Sequence, residues 1–73
     1  MGKKKSYVAN RIRELRFQHG EMTQQELATR IGVARQTVIA MEQGRFSPSL
    51  ESALRIALAF ETTVDEIFSL EEP

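Results

Sequence analysis

The chain has no cysteine and no tryptophan, one histidine and two prolines among 73 residues. Without cysteine, neither a disulfide frame nor a thiolate metal site can form. No apolar run approaches the ~20 residues that a membrane-spanning helix needs. The opening Met-Gly-Lys-Lys-Lys-Ser is basic but leads into Tyr-Val-Ala-Asn-Arg rather than an apolar signal segment, so a cytoplasmic location is expected. Gly-rich phosphate loops are missing, Ser and Thr lack a plausible base partner, and the acidic residues show no metal-ligand spacing. His19 falls at a helix end, where it caps or is solvated. We therefore expect no catalytic residues, no metal, no cofactor and no membrane partner.

The length fits one domain. A core this small is marginal unless the chain is helical and well packed, or dimeric. Net charge is zero, but the charges are segregated. Residues 1–45 hold nine Lys or Arg against four Glu, and residues 46–73 hold one Arg against six acids, so the halves carry about +5 and −5. A basic half suits phosphate contact; an acidic end points away from nucleic acid or toward a partner.

The informative segment is Thr23 to Gly44. Thr23-Gln24-Gln25-Glu26 has a hydroxyl followed three residues later by a carboxylate, a capping box that predicts a helix from Gln24. Leu27, Ala28 and Ile31 form its apolar face. Gly32 follows as the residue free to take positive φ, and Val33 turns a side chain back to the core. A second helix is predicted over Arg35–Gln43, ending at Gly44. Its inward positions are Val38 and Met41. Arg35, Gln36, Ile39, Ala40 and Gln43 lie on the other face. Arg and Gln have the planar, multidentate groups that read guanine and adenine edges, and methyl groups on Ile39 and Ala40 could meet thymine methyls. Two short helices around such a turn are the geometry that presents a recognition helix to the major groove.

Gln-Gln-Glu-Leu-Ala, Ile-Gly-Val-Ala-Arg-Gln-Thr-Val, Met-Glu-Gln-Gly and Ser-Pro-Ser-Leu resemble the lambda-repressor-like (Xre) helix-turn-helix family, in particular its small single-domain regulators. The similarity runs from about Asn10 to Leu70. It implies an all-α, five-helix domain that binds operator DNA as a homodimer, usually as a repressor. It also implies roles at matching positions. Gln24 would contact a phosphate and brace the first side chain of the recognition helix. Arg35, Gln36 and Ala40 would read bases, with Ile39 beside them. Thr37 would join Gln43 and the following loop, Arg45 and Ser47, on backbone phosphate. Arg16 and Glu42 would form a salt bridge between the first and third helices. Two departures stand out. Ala34 occupies a position where the family often has a Ser or Thr N-cap, and His19-Gly20-Glu21-Met22 is one residue longer than the commonest connection.

Elsewhere, Ser6 is read as the cap of a first helix over Tyr7–Gln18, with Val8, Ile12 and Leu15 as its core stripe. One or two of Arg11, Arg13 and Arg16 are candidates for phosphate approach, equally read as solvated. Residues 1–6, with Lys3-Lys4-Lys5, form a mobile basic arm in this reading, and 71–73 an acidic tail around a domain at 7–70. Gly44–Ser49 is a loop in which Phe46 is either a packing anchor, the preferred reading, or a sugar contact. Ser49 caps a fourth helix through Phe60, with Leu50, Ala53, Leu54, Ala57 and Leu58 as core. A second capping box, Thr63-Val64-Asp65-Glu66, opens a fifth helix to Phe68, whose Val64, Ile67 and Phe68 close the core. The ends could also pair in a short β ribbon, Tyr7 and its predecessors with Ser69-Leu70-Glu71. A dimer surface is assigned to Phe60, Val64, Phe68 and Leu70.

The leading reading is a sequence-specific regulator on double-stranded DNA. One alternative is an antitoxin-type module that binds a small protein partner and its own promoter, using Glu61, Asp65, Glu66, Glu71 and Glu72. Another is a nonspecific architectural binder, against which the Arg35-Gln36 pair argues.

Overall fold

The computed structural model describes residues 7–71. In chain order these form β1 (Tyr7–Asn10), α1 (Ile12–Gln18), α2 (Gln24–Ile31), α3 (Arg35–Glu42), α4 (Leu50–Ala59), α5 (Val64–Ile67) and β2 (Phe68–Glu71). Five helices enclose one core, and the two strands pair antiparallel, with Val8 opposite Leu70 and Asn10 opposite Phe68.

This ribbon corrects the expected first helix. Tyr7–Asn10 is strand, and helix begins only at Ile12. Ser6 and Lys3-Lys4-Lys5 lie outside the described residues, as does Glu72. Asn10 performs the capping instead. Its Oδ1 accepts the Ile12 N–H at 3.1 Å, satisfying one of the orphan donors at a helix start. Its Nδ2 donates to the Met41 carbonyl at 2.7 Å, which ties the start of α1 to the end of α3. At the other end of α1, His19 caps as expected, its Nδ1 2.9 Å from the Leu15 carbonyl.

The core is built from Ile12, Leu15, Met22, Leu27, Ala28, Ile31, Val38, Met41, Ile56, Ala57, Phe60 and Ile67, with Val33, Val64 and Phe68 packed at its edge. α2 packs on α3 and on α4, and α4 packs on α5.

α4 corrects the expected face. Ala53, Ile56, Ala57 and Phe60 point inward, while Leu50, Leu54 and Leu58 point out. The inward set repeats at i, i+3, i+4, i+7, a full helical stripe. Two of its four residues are alanines, so this face is less bulky than the leucine face. Ser49 caps α4 as expected, accepting the Ser52 N–H at 3.1 Å. Thr63 does not complete a capping box: it sits at the N-cap of α5 without a side-chain hydrogen bond. α5 stops at Ile67, because Phe68 is extended and already pairs with Asn10.

Candidate nucleic-acid interface

The turn between α2 and α3 forms from local hydrogen bonds. Thr23 Oγ1 accepts the Glu26 N–H at 3.0 Å, and a Glu26 carboxylate oxygen accepts the Thr23 N–H at 2.8 Å. α2 therefore starts where the capping box requires. It ends on Gly32, whose φ of +79° is the left-handed conformation that non-glycine residues resist. The Gly32 and Val33 N–H groups both donate to the Ala28 carbonyl, at 2.9 and 3.0 Å, and close the turn. Ala34 then stands at the N-cap of α3 in extended conformation, with no side-chain hydrogen bond to the helix start.

Val38 and Met41 anchor α3 in the core. Arg35 and Gln36 are exposed, as is Gln43 at the C-cap; Thr37, Ile39 and Ala40 are half-buried. Thus Ile39 and Ala40 present only part of their surface, less than the sequence pattern implied. Arg35 and Gln36 have no side-chain hydrogen-bond partner among the described residues. Gln43 accepts from Arg45 Nε at 2.8 Å, so the loop cation is held against the end of the helix. Ser47 is exposed one residue beyond Phe46, and Phe46 is itself exposed rather than a packed anchor.

A buried ion pair fixes the base of this surface. Arg16 Nε lies 2.6 Å from Glu42 Oε2 and Nη2 lies 3.1 Å from Oε1, with both side chains only 8% exposed. Arg16 Nη1 donates to the Met22 carbonyl at 2.8 Å. The fork is the bidentate geometry that makes arginine a rigid connector. Glu42 also accepts from Gln24, whose Nε2 donates to Oε1 at 3.1 Å. Gln24 is therefore turned toward Glu42, not bonded to Arg35 as expected, although both residues line the same open groove.

That groove also contains Arg13, Phe17, Gln25, Ile39 and Gln43. It sorts the three arginines near α1. Arg16 is committed to Glu42. Arg11 is committed to Glu14 at 3.1 Å and lies 3.9 Å from Glu66. The hydrogen bond from Arg11, and then its charge, hold the Glu14 carboxyl below its ordinary range. Arg13 has no acidic partner among the described residues, and its guanidinium lies over the exposed Phe17 ring, 5.7 Å from the centroid. Sequence reasoning left Phe17 unassigned. The available signal was a large aromatic off the Ile12–Leu15 stripe, with arginines one and four residues before it.

A family model described as Helix-turn-helix matches residues 12–67, which span α1 through α5. The chain belongs to this helix-turn-helix family. An HTH-type transcriptional regulator of Methanothermobacter thermautotrophicus is 55% identical over 62 residues, covering 84% of this chain and 88% of that one. The transcriptional repressor RstR of a cryptic phage of Vibrio cholerae is 34% identical over 61 residues, covering 84% of this chain but 54% of RstR. The crystal structure of a candidate DNA-binding protein from Bacteroides fragilis superposes with a TM-score of 0.73 at 19% identity, covering 85% of this chain and 98% of that one, a likeness of fold.

Proposed function

We propose that the protein is a sequence-specific DNA-binding regulator of transcription that docks α3 in the major groove and works as a homodimer on a two-fold operator. Repression, by occupying sites that polymerase needs, is the proposed outcome; the resemblance to a phage repressor supports it. The observation that carries the reading is the outer face of α3. Arg35 and Gln36 project from a helix whose position is set by buried packing and by the Arg16–Glu42 fork, and neither is engaged within the described protein. A helix fixed in place, with exposed donors that have no partner within the described protein, suits groove readout, because little backbone entropy is lost on docking.

In this reading Arg35 takes guanine O6 and N7, Gln36 takes adenine, and Ile39 and Ala40 meet thymine methyls. Gln24, Thr37, Gln43, Arg45 and Ser47 take phosphates. Arg13, held over Phe17, joins them at the α1 side of the groove. Phosphate contacts set register and affinity, while base contacts set preference.

Selection of bound duplexes from a random DNA pool tests the proposal, with a two-fold motif as the expected result. Arg35→Ala should then relax preference at one position of each half-site and cost about 1–3 kcal/mol. Arg45→Ala should weaken all sequences alike and lower the salt slope by about one ion. Recovery of no motif by the folded protein would refute the reading, and equal effects of the two substitutions on preference would refute the division of labour.

A further inference from the structure

The least explained surface of the molecule is the outer face of α4. Leu50, Leu54 and Leu58 are 74%, 54% and 78% exposed. They are spaced four apart, so they form one stripe that drifts only ~40° per step and runs ~12 Å along the helix. Isolated exposed leucines are ordinary, but three in one row on a domain of this size make an apolar patch of the kind that marks an interaction surface. The stripe borders an open, mostly apolar groove lined by Leu54, Ala57, Leu58 and Val64, with Thr62, Thr63 and Asp65 at its polar side. None of these residues belongs to the α3 surface.

Charge on α4 indicates what covers the stripe. Glu51 and Arg55 flank it on one side and pair with each other at 2.8 Å, both well exposed. Antiparallel pairing of two α4 helices about a two-fold axis at Leu54 sets Leu54 on its symmetry mate and Leu50 opposite Leu58. Because a two-fold axis brings the same flank of each helix together, Glu51 of one copy then lies within one helical turn of Arg55 of the other, and the reverse. An i, i+4 pair of opposite charges is thus self-complementary in this arrangement. In that arrangement Leu50 of the second copy would face the groove beside Leu58 and Val64.

We infer that α4 is the homodimer surface, with Leu54 at its centre and a second copy of this chain as the occupant. The inference deepens the homodimer reading above but does not depend on DNA binding. It moves the centre of the surface expected from sequence onto α4: Val64 stays at its edge, lining the groove, and Leu70 is exposed on β2. Phe60 is 2% exposed and belongs to the core, and Val64 and Phe68 are half-buried against it.

The test is sedimentation equilibrium of the full chain without DNA, over a wide concentration range. The wild type should be a reversible dimer, and Leu54→Lys should weaken dimerisation about thirtyfold or more, the loss typical of a central apolar anchor. Its helical circular dichroism should persist, because Leu54 contributes little to the core. An electrostatic arm guards against a folding artefact. Glu51→Arg and Arg55→Glu should each weaken self-association, yet an equimolar mixture should form a heterodimer, since each then faces opposite charges across the axis. A strictly monomeric wild type, dimerisation unaffected by Leu54→Lys, or no gain on mixing would each overturn the assignment. Dimerisation through α4 in a protein that selects no DNA motif would leave this inference standing and remove the DNA reading instead.

Discussion

Replacing Arg16 by methionine should cost a large part of the stability of this domain, while replacing both Arg16 and Glu42 should cost less. With Arg16→Met, the Glu42 carboxylate stays at 8% exposure and keeps one partner, the Gln24 amide. An uncompensated buried charge costs about 3–5 kcal/mol. A chain of this length has roughly 4–11 kcal/mol in total, at about 0.05–0.15 kcal/mol per residue. Glu42→Leu should cost a similar amount, because Arg16 would keep only the Met22 carbonyl at 2.8 Å and the Phe17 ring, 5.6 Å from its guanidinium, with no counter-charge. Combining Arg16→Met with Glu42→Leu removes both charges. What remains is the lost bond to the Met22 carbonyl and the released Gln24 amide, about 1 kcal/mol each. The double variant should therefore be about 1–3 kcal/mol less stable than wild type, and more stable than either single variant. Urea unfolding followed by circular dichroism measures this through the midpoint, provided the slope is unchanged. If the double variant loses the sum of the two single losses, the pair is not a coupled buried unit. If each single change costs under about 1 kcal/mol, the charges are solvated and the fork does not hold α3.

Three further outcomes follow from single positions. Gly32→Ala should destabilise by about 1–2 kcal/mol from left-handed backbone strain, since φ is +79° and an added Cβ meets nothing within 4 Å; an unchanged melting curve would contradict this. Ala34→Ser should add about 1 kcal/mol, because Ala34 already has the extended conformation of an N-cap (φ −74°, ψ 153°) and lacks only the oxygen; thermal denaturation reads the gain. Arg11 lowers the folded-state pKa of the Glu14 carboxyl, so the small stability this exposed pair adds is present above the ordinary carboxylate range and is lost as pH falls through the folded-state value. The pH dependence of stability in Arg11→Ala should therefore flatten slightly on the acid side.

The parts of this molecule readable from sequence are those determined by local chemistry. The Thr23 capping box, the Gly32 turn, the inward Val38 and Met41, the Ser49 cap and the outward Arg35 and Gln36 depend on neighbours within one or two helical turns. Residue type and period specify them without knowledge of the rest of the fold. The Arg16–Glu42 pair was legible only through family resemblance, since nothing local joins residues 26 positions apart.

Tertiary structure decided the rest, for identifiable reasons. Tyr7–Asn10 carries a pattern compatible with helix, but its backbone donors and acceptors find partners in Phe68–Glu71, so strand wins there and helix waits for Ile12. α4 is apolar on two faces, and periodicity cannot choose between them. Packing against α2 and α5 buries the Ala53–Ile56–Ala57–Phe60 face, and that choice turns three leucines outward. Phe60 and Leu54 are both large and apolar, on one helix. Only the position of α2 and α5 around that helix makes the first a core residue and the second a surface.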